Sequence, residues 1–284
     1  MSEGAPGLWA GRVARLATMH GKEAAIAPPL ARLAGLEVRR ATGVDTDALG
    51  TFTGEVPRAG TLHEAAEAKA RLAMRAAGSD LGLASEGAYG PHPQIPFLAS
   101  GVETLVLVDE ARGLVLRETM EARRPVYDQV EAAGLAALEP FLARIGFPQQ
   151  GVVVRPNRGG GSQRKGLRAR APLARAVEAA AAASPDGLAV VETDMRAHMN
   201  PTRMAAIAQL AERFATRLAR ACPSCGAPGW GVARPGPPLP CAWCGGETLA
   251  RGGMVWGCAA CGEEAAQDEA RAIADPGQCP ACNP

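Results

Sequence analysis

The sequence predicts an α/β domain, a mixed sheet flanked by helices, over residues 1–220, followed by a small zinc-ribbon-like domain over residues 221–284. Three observations carry this. Up to residue 220, short β-rich runs alternate with longer helical ones, the pattern of helices packed on a sheet. All eight cysteines fall in the last 63 residues as four C-x-x-C pairs: Cys222/Cys225, Cys241/Cys244, Cys258/Cys261 and Cys279/Cys282. Finally, 284 residues with 47% hydrophobic letters bury one good core of about 200 residues plus a metal-stapled appendage.

The elements follow in order. Val13 to Thr18 reads as a strand, and Lys22 to Leu33 as a helix interrupted at Pro28 and Pro29, which have no N–H to donate. Leu36 to Arg40 is a second strand. The Gly-, Thr- and Asp-rich stretch from Gly43 to Gly60 is a loop long enough to be functional. Leu62 to Ala77 is the best-defined helix, because Thr61 can cap it, Glu64 completes a capping box and Gly78 closes it. Leu81 to Ser85 is a strand, and Val102 to Val108 with Leu114 to Arg117 form a hairpin across Asp109 to Gly113. Tyr127 to Ile145 is expected to be mostly helical up to Gly146, with a break at Pro140. Then come strand Val152 to Val154, helix Pro172 to Ala183, a turn at Pro185-Asp186-Gly187, strand Leu188 to Val191 and helix Pro201 to Ala221. Asn200 caps that last helix and Pro201 takes its first position.

A tetrahedral zinc site needs four thiolates, and two C-x-x-C turns supply them, so eight cysteines read as two structural zinc ions. Gly226, Gly245 and Gly262 follow three of the second cysteines, where a zinc knuckle favours positive φ. Gaps of fifteen residues (Cys225 to Cys241) and seventeen (Cys261 to Cys279) favour sequential sites, first pair with second and third with fourth. A nested arrangement, joining the middle pairs and the outer ones, stays open. Disulfides are the rival reading, but Met1 to Lys22 has Arg12 and Arg15 where a signal peptide needs an apolar core, so a cytoplasmic chain is expected. A redox dithiol would open a helix, and no helix runs through Pro235, Gly236, Pro237, Pro238 and Pro240.

Composition narrows the partners. Net charge is +1, and between Cys222 and Pro284 only Arg234, Arg251 and Arg271 are cationic, so nucleic acid is not expected as a partner. No run of eighteen apolar residues exists, so no membrane span is expected. A homodimer is open to the chain. Trp230, Trp243 and Trp256 all lie in the cysteine region, where large side chains fill space in a domain short of core.

Three polar clusters fall where strands end or helices begin, the places where α/β sheets build sites. The turn Thr18-Met19-His20-Gly21-Lys22 offers a hydroxyl, backbone N–H groups and an ammonium to a phosphate. Lys69, on the capped helix, is joined by Ser85-Glu86-Gly87, whose carboxylate can hold a divalent cation. Glu192 to Arg203 gathers acids, His198 and two arginines around a helix start. The loop Arg155 to Gly166 lacks the G-x-x-x-x-G-K-[ST] order of a P-loop and reads as a cationic lid or a solvated linker. Tyr89 and His92 are candidates for a base pocket.

The segment Thr61-Leu-His-Glu-Ala-Ala-Glu-Ala-Lys69-Ala70, then Leu81-Gly-Leu-Ala-Ser-Glu86-Gly87, resembles the core signature of the inosine triphosphate pyrophosphatase family, T-x-x-E-N-A-x-x-K-A and a strand ending in acids and glycine. Thr18-x-x-x-Lys22 is similar to its phosphate turn, and Thr202-Arg203-Met-Ala-Ala-Ile207 to its closing S-H-R-x-x-A-L, so the resemblance spans about residues 12 to 215. Ala65 and Ser85 stand where that family has Asn and a second acid. The resemblance implies that family's fold and Mg²⁺-dependent hydrolysis of a nucleoside triphosphate or related phosphate compound, releasing pyrophosphate. Glu86 would hold the metal, with Asp45, Asp47 or Glu55 as second carboxylate, while Thr18, Lys22, Lys69 and Arg203 would bind phosphate oxygens. The whole chain, with Glu192-Thr-Asp-Met-Arg-Ala-His198 and the terminal Cys279-Pro-Ala-Cys282-Asn-Pro284, resembles a bacterial family described only as a domain of unknown function. A non-enzymatic nucleotide-sensing or interaction protein with a structural zinc module is the alternative.

Overall fold

The computed structural model describes residues 7–46, 60–267 and 272–284. Its first sheet is built from β1 (Val13–Ala17), β2 (Glu37–Arg40), β3 (Leu81–Pro91), β4 (Ala99–Asp109) and β5 (Leu114–Glu121), in the order β2-β1-β3-β4-β5. The first three strands run parallel, and β3-β4-β5 is an antiparallel meander. A second, antiparallel sheet has the order β6-β9-β7-β8, from β6 (Gln129–Ala132), β7 (Val152–Pro156), β8 (Arg164–Leu167) and β9 (Ala189–Thr193). Where the sequence predicts one mixed sheet before the cysteines, the chain therefore forms two.

Strand alternation assigns the first sheet's two faces. Leu83, Leu105 and Leu107 pack with Ile26 of α1 (Glu23–Pro29) and with Ile207, Leu210 and Phe214 of α5 (Pro201–Leu218). Their neighbours Ala84, Val106 and Val108 turn to the other face, against Ala66, Ala70, Ala73 and Met74 of α2 (Leu62–Ala77). The second sheet has its own core, in which Val152, Val154 and Val191 meet Phe141 and Leu142 of α3 (Glu139–Ile145) and Leu173 and Val177 of α4 (Arg170–Ala183). No helix of the described residues is long and apolar enough to cross a membrane.

Two local expectations meet tertiary corrections. Pro28 and Pro29 do not interrupt α1 internally; it ends at Pro29, and the backbone continues as one wider π-helical stretch, Leu30–Ala34, the kind of register change found where proline removes N–H donors. Tyr127 to Ile145 is helical only from Leu135, as a 3-10 turn (Leu135–Leu138) running into α3, whereas Gln129 to Ala132 form a strand because they pair with Glu192 to Ala189 of β9. Pro140 starts α3 rather than breaking it, since the first turn of a helix has no use for that N–H. The capping box of α2 is complete, with Glu64 N–H donating to Thr61 Oγ1 and Thr61 N–H donating to Glu64 Oε2.

The cysteine-rich part carries β10 (Gly231–Pro235), β13 (Met254–Gly257) and β14 (Glu264–Gln267) in one three-stranded sheet, and β11 (Pro238–Pro240) with β12 (Glu247–Arg251) in a ribbon. It is tied to the rest through α5: the Trp9 indole donates to the Leu218 carbonyl, and Arg217 Nε donates to the Gly229 carbonyl.

Because α5 covers the first sheet, Leu210→Ala should cost about 2–5 kcal/mol in urea unfolding, whereas Gln209→Ala, on the exposed face of the same turn, should change it by less than about 0.5 kcal/mol. Equal effects would mean that this face of α5 is not the buried one.

Candidate functional site

The turn after β1, the helix α2, the strand β3 and the start of α5 converge on one narrow cleft, with a free volume of about 40 Å³, lined by Thr18, His20, Lys22, Thr46, Lys69, Ser85, Glu86 and Arg203. The structure thus brings together Thr18, Lys22, Lys69, Glu86 and Arg203, five residues that are far apart in sequence. Lys22 is buried, and its ammonium donates to the Ser85 carbonyl at 3.1 Å and the Ser85 hydroxyl at 3.2 Å. Lys69 reaches Glu86 Oε2 at 2.7 Å, with both side chains buried. Arg203 is held by Asn200, whose side chain caps α5 through the Arg203 N–H. Its guanidinium donates to Glu103 Oε1 at 2.5 Å and to the Met195 carbonyl, and lies 5.3 Å from the Tyr89 ring centre.

The electrostatics follow from burial. Burial, then the charge of Arg203, pulls the Lys22 pKa down to about 8. Burial, followed by the charge of Lys22, brings His20 down to about 4, so His20 is neutral at neutral pH. His20 stacks on His198, ring centres 5.0 Å apart, and His198 is also shifted down by burial and by Arg196. Burial, then Glu103, pushes Tyr89 upward. Gly87 leaves no room for a side chain: a Cβ there would sit 2.5 Å from Glu103 Oε1 and 2.7 Å from Arg203 Nη2. Among the described residues Lys22 has no carboxylate within ion-pair distance, whereas Lys69 and Arg203 each have one.

Beside this cleft, on the far side of Arg203 and Met195, lies a cavity of about 300 Å³ between the tip of β3 and the second sheet. The chain's two tyrosines, Tyr89 and Tyr127, line it together with Gln129, Arg155, Gln163 and Glu192. Burial, set against the charge of Arg155, raises the pKa of Glu192. His92 does not join Tyr89 here; it lines a separate pocket with Glu121 and Arg124.

The Glu192 to Arg203 cluster is divided by the fold. Glu192 faces the side cavity and Arg203 the cleft. Buried Asp194 binds Arg196 at 2.6 Å and the Gly166 N–H at 3.0 Å; burial pushes its pKa up, but these bonds outweigh it and hold the carboxyl low. Asp194 thereby anchors the 155–166 segment, whose end is strand β8 rather than an open loop. Asp45 is not among the residues lining the cleft, and Asp47 and Glu55 lie outside the described residues. Sequence reasoning missed Glu103. The signal was present, since it is the one charged residue in the largely apolar run Val102 to Val108.

The eight cysteines gather into two groups of four that can each hold a metal ion: Cys222, Cys225, Cys258 and Cys261, and Cys241, Cys244, Cys279 and Cys282. Pairing is interleaved, first with third and second with fourth, which corrects both the sequential and the nested expectation. The cause is strand pairing. β10 lies antiparallel to β13 and sets the first knuckle against the third, while the bridge between Cys241 and Ala274 sets the second against the fourth. Sulfurs stand 3.8 Å (Cys222–Cys261), 3.6 Å (Cys225–Cys258), 3.9 Å (Cys241–Cys282) and 3.7 Å (Cys244–Cys279) apart. Four thiolates at about 2.3 Å from a tetrahedral zinc would be about 3.8 Å from one another, so the spacing fits zinc. Gly226, Gly245 and Gly262 take φ of 73°, 72° and 75°, as knuckles require. The N–H groups of Cys244 and Trp243 bring the Cys241 thiol down to about 7, towards the thiolate that a metal binds. Trp230 packs against Trp256, but Trp243 is exposed and fills no core.

Interleaving makes a sharp prediction for zinc content. Cys222→Ser with Cys258→Ser should remove one zinc equivalent, and Cys222→Ser with Cys241→Ser should remove two. The reverse, read by metal analysis, would restore sequential pairing.

No curated protein matches the chain. The family model described as "Domain of unknown function (DUF6671)" matches residues 69–284. About three quarters of the sequence lies within that match, from Lys69 in the cleft to the last knuckle, and the chain therefore belongs to the DUF6671 family.

Proposed function

We propose that the cleft takes the phosphate groups of a nucleotide or related phosphate compound, and that the protein is a metal-dependent hydrolase that releases pyrophosphate from a nucleoside triphosphate. The observation that carries this is Lys22, a buried ammonium that donates to the hydroxyl and carbonyl oxygens of Ser85 and, among the described residues, has no carboxylate within ion-pair distance. Among the described residues, three cations, Lys22, Lys69 and Arg203, line the cleft against the lining carboxylate Glu86 and, behind Arg203, Glu103. An anion in the cleft would relieve that imbalance. Lys22, Lys69 and Arg203 would hold phosphate oxygens and Thr18 would add a hydroxyl donor, stabilising negative charge that builds in the transition state. The walls of Tyr89 and Tyr127, with the amides of Gln129 and Gln163, suit the flat face and polar edge of a base.

Glu86 is the one carboxylate among the described residues lining the cleft, and Mg²⁺ is commonly held by one or two carboxylates together with substrate phosphates. The donor set therefore fits Mg²⁺ once substrate is bound and Glu86 is released from Lys69. Bound there, the ion would neutralise charge on the departing pyrophosphate. In the reaction, water adds to the phosphorus nearest the nucleoside, its bond to the bridging oxygen breaks, and pyrophosphate leaves.

The second reading, a non-enzymatic nucleotide-sensing or interaction protein with a structural zinc module, is favoured by one contact: Glu86 is already bonded to Lys69. Because Lys69 is buried, Glu86→Ala would leave it unpaired and destabilise the fold, so Glu86→Gln, which keeps an acceptor, is the better variant. With Mg²⁺ and a panel of ordinary and deaminated nucleoside triphosphates, pyrophosphate release should appear in wild type and vanish in Glu86→Gln. Lys22→Met should weaken triphosphate binding by at least about tenfold. Affinity should be level between about pH 7, above the terminal phosphate's own titration, and pH about 8, and fall as pH rises through that value, because only the protonated Lys22 attracts phosphate. Binding without release selects the sensor, and no binding of any triphosphate removes both readings.

A further inference from the structure

A second cationic feature lies away from the cleft, where the cysteine-rich part meets the first sheet. It is an open groove of about 620 Å³. Its two rims are strand edges: β5 is the last strand of the order β2-β1-β3-β4-β5, and β10 the first of the order β10-β13-β14. Arg217, from α5, forms the closed end, its Nη1 donating to the Arg117 carbonyl of β5 at 2.7 Å and to the Val232 carbonyl of β10 at 3.0 Å. Those bonds turn one carbonyl of each strand toward the groove, where Arg217 takes both; as the outermost strands of their sheets, β5 and β10 have no further strand beside them, an edge of the kind that takes up an extra strand.

The groove's charge is one-sided. Arg117, Arg213, Arg217 and Arg234 line it, with Glu118 as the one lining carboxylate among the described residues, and Glu118 is shared by Arg213 and Arg217. Arg117 and Arg234 are about half exposed; their partners, Glu67 at 3.8 Å and Glu264 at 2.6 Å, are surface pairs that exchange readily for other carboxylates. Between the arginines the surface is apolar, with Val232 and Met254 partly exposed. Among the described residues no Phe, Tyr or Trp lines the groove, and His63 is its one aromatic ring, a poor platform for the successive stacked bases of single-stranded nucleic acid.

We infer that this groove is a docking site for an extended, acidic segment of a partner protein, which adds as a strand to the edge of β5 or β10 and sets alternate carboxylates against Arg117, Arg213 and Arg234. Acidic side chains meet the guanidiniums, small apolar ones meet Val232 and Met254, and main-chain bonds supply the register. This site was not foreseen from sequence, because three of its arginines come from β5 and α5 rather than from the cysteine region.

The test uses the full-length, zinc-loaded protein and a fluorescein-labelled seven-residue peptide of alternating Glu and Val with blocked ends. The peptide should bind saturably, with affinity that falls as salt rises, and Arg117→Glu or Arg234→Glu should weaken it by about tenfold. Replacing Glu by Lys, or methylating alternate backbone nitrogens, should abolish binding. Absence of saturable binding at about millimolar peptide, or binding unchanged by both Arg variants, overturns the proposal. Full affinity of the methylated peptide also overturns it. So does tighter binding of an oligothymidylate than of the acidic peptide, which would make the groove a nucleic-acid site. A dimer in sedimentation that Arg234→Glu disperses would give the groove to a second copy of the chain and likewise overturn it.

Discussion

Five ionisable side chains, Lys22, Lys69, Glu86, Glu103 and Arg203, are buried together where β1, α2, β3, β4 and α5 meet. Taking charges out of water is costly unless each finds a partner, so this cluster constrains everything around it. Glu103 must stand opposite Arg203, and the chain carries glycine at position 87 because any larger residue would enter that pair. Asn200 must cap α5 so that Arg203 starts it at the right height. Among the described residues Lys22 is the member without a carboxylate in ion-pair distance, and burial lowers its pKa, a shift that the proposed binding of an anion would reverse.

The remaining architecture places and supports this cluster. α5 begins at the cleft and ends at the cysteine-rich part, where Leu218 receives the Trp9 indole and Arg217 clasps Gly229. One helix thus links the cleft to the cysteine clusters. The second sheet contributes the side cavity, because β9 brings Glu192 and Thr193 opposite Tyr89. Cleft and cavity share Met195 as a boundary, its carbonyl held by Arg203 and its side chain lining the cavity.

What the sequence made legible was local. The Thr61/Glu64 capping box, the Asn200 cap with Pro201, and the knuckle glycines all fold as read, because a cap or a positive φ is decided by residues within one turn. The polar letters at Thr18, Lys22 and Arg203 were legible as candidates because they follow a strand or begin a helix; Glu86 was read as a strand end but lies inside β3, which runs on to Pro91, and Lys69 sits in mid-α2, yet all five meet in one cleft. The pairing of the cysteines was not legible. Loop-closure entropy changes slowly with loop length, so gaps of thirteen, fifteen and seventeen residues hardly discriminate, and the partner of each knuckle is chosen by which strands pair. β6 was hidden for the same reason: Gln129 to Ala132 are a strand only because β9 lies beside them. Glu103 was readable as an anomaly in an apolar run, but its partner lies 100 residues away, and no local pattern names it.

The central claim is that Lys22 is held as a buried cation awaiting phosphate. It is tested most directly by following the Lys22 side-chain nitrogen by NMR as pH is raised, with and without inorganic triphosphate. The account predicts a titration near pH 8 in the free protein, moved to higher pH by triphosphate as the bound anion favours the ammonium. A Lys22 that titrates at the same pH with and without triphosphate would contradict it.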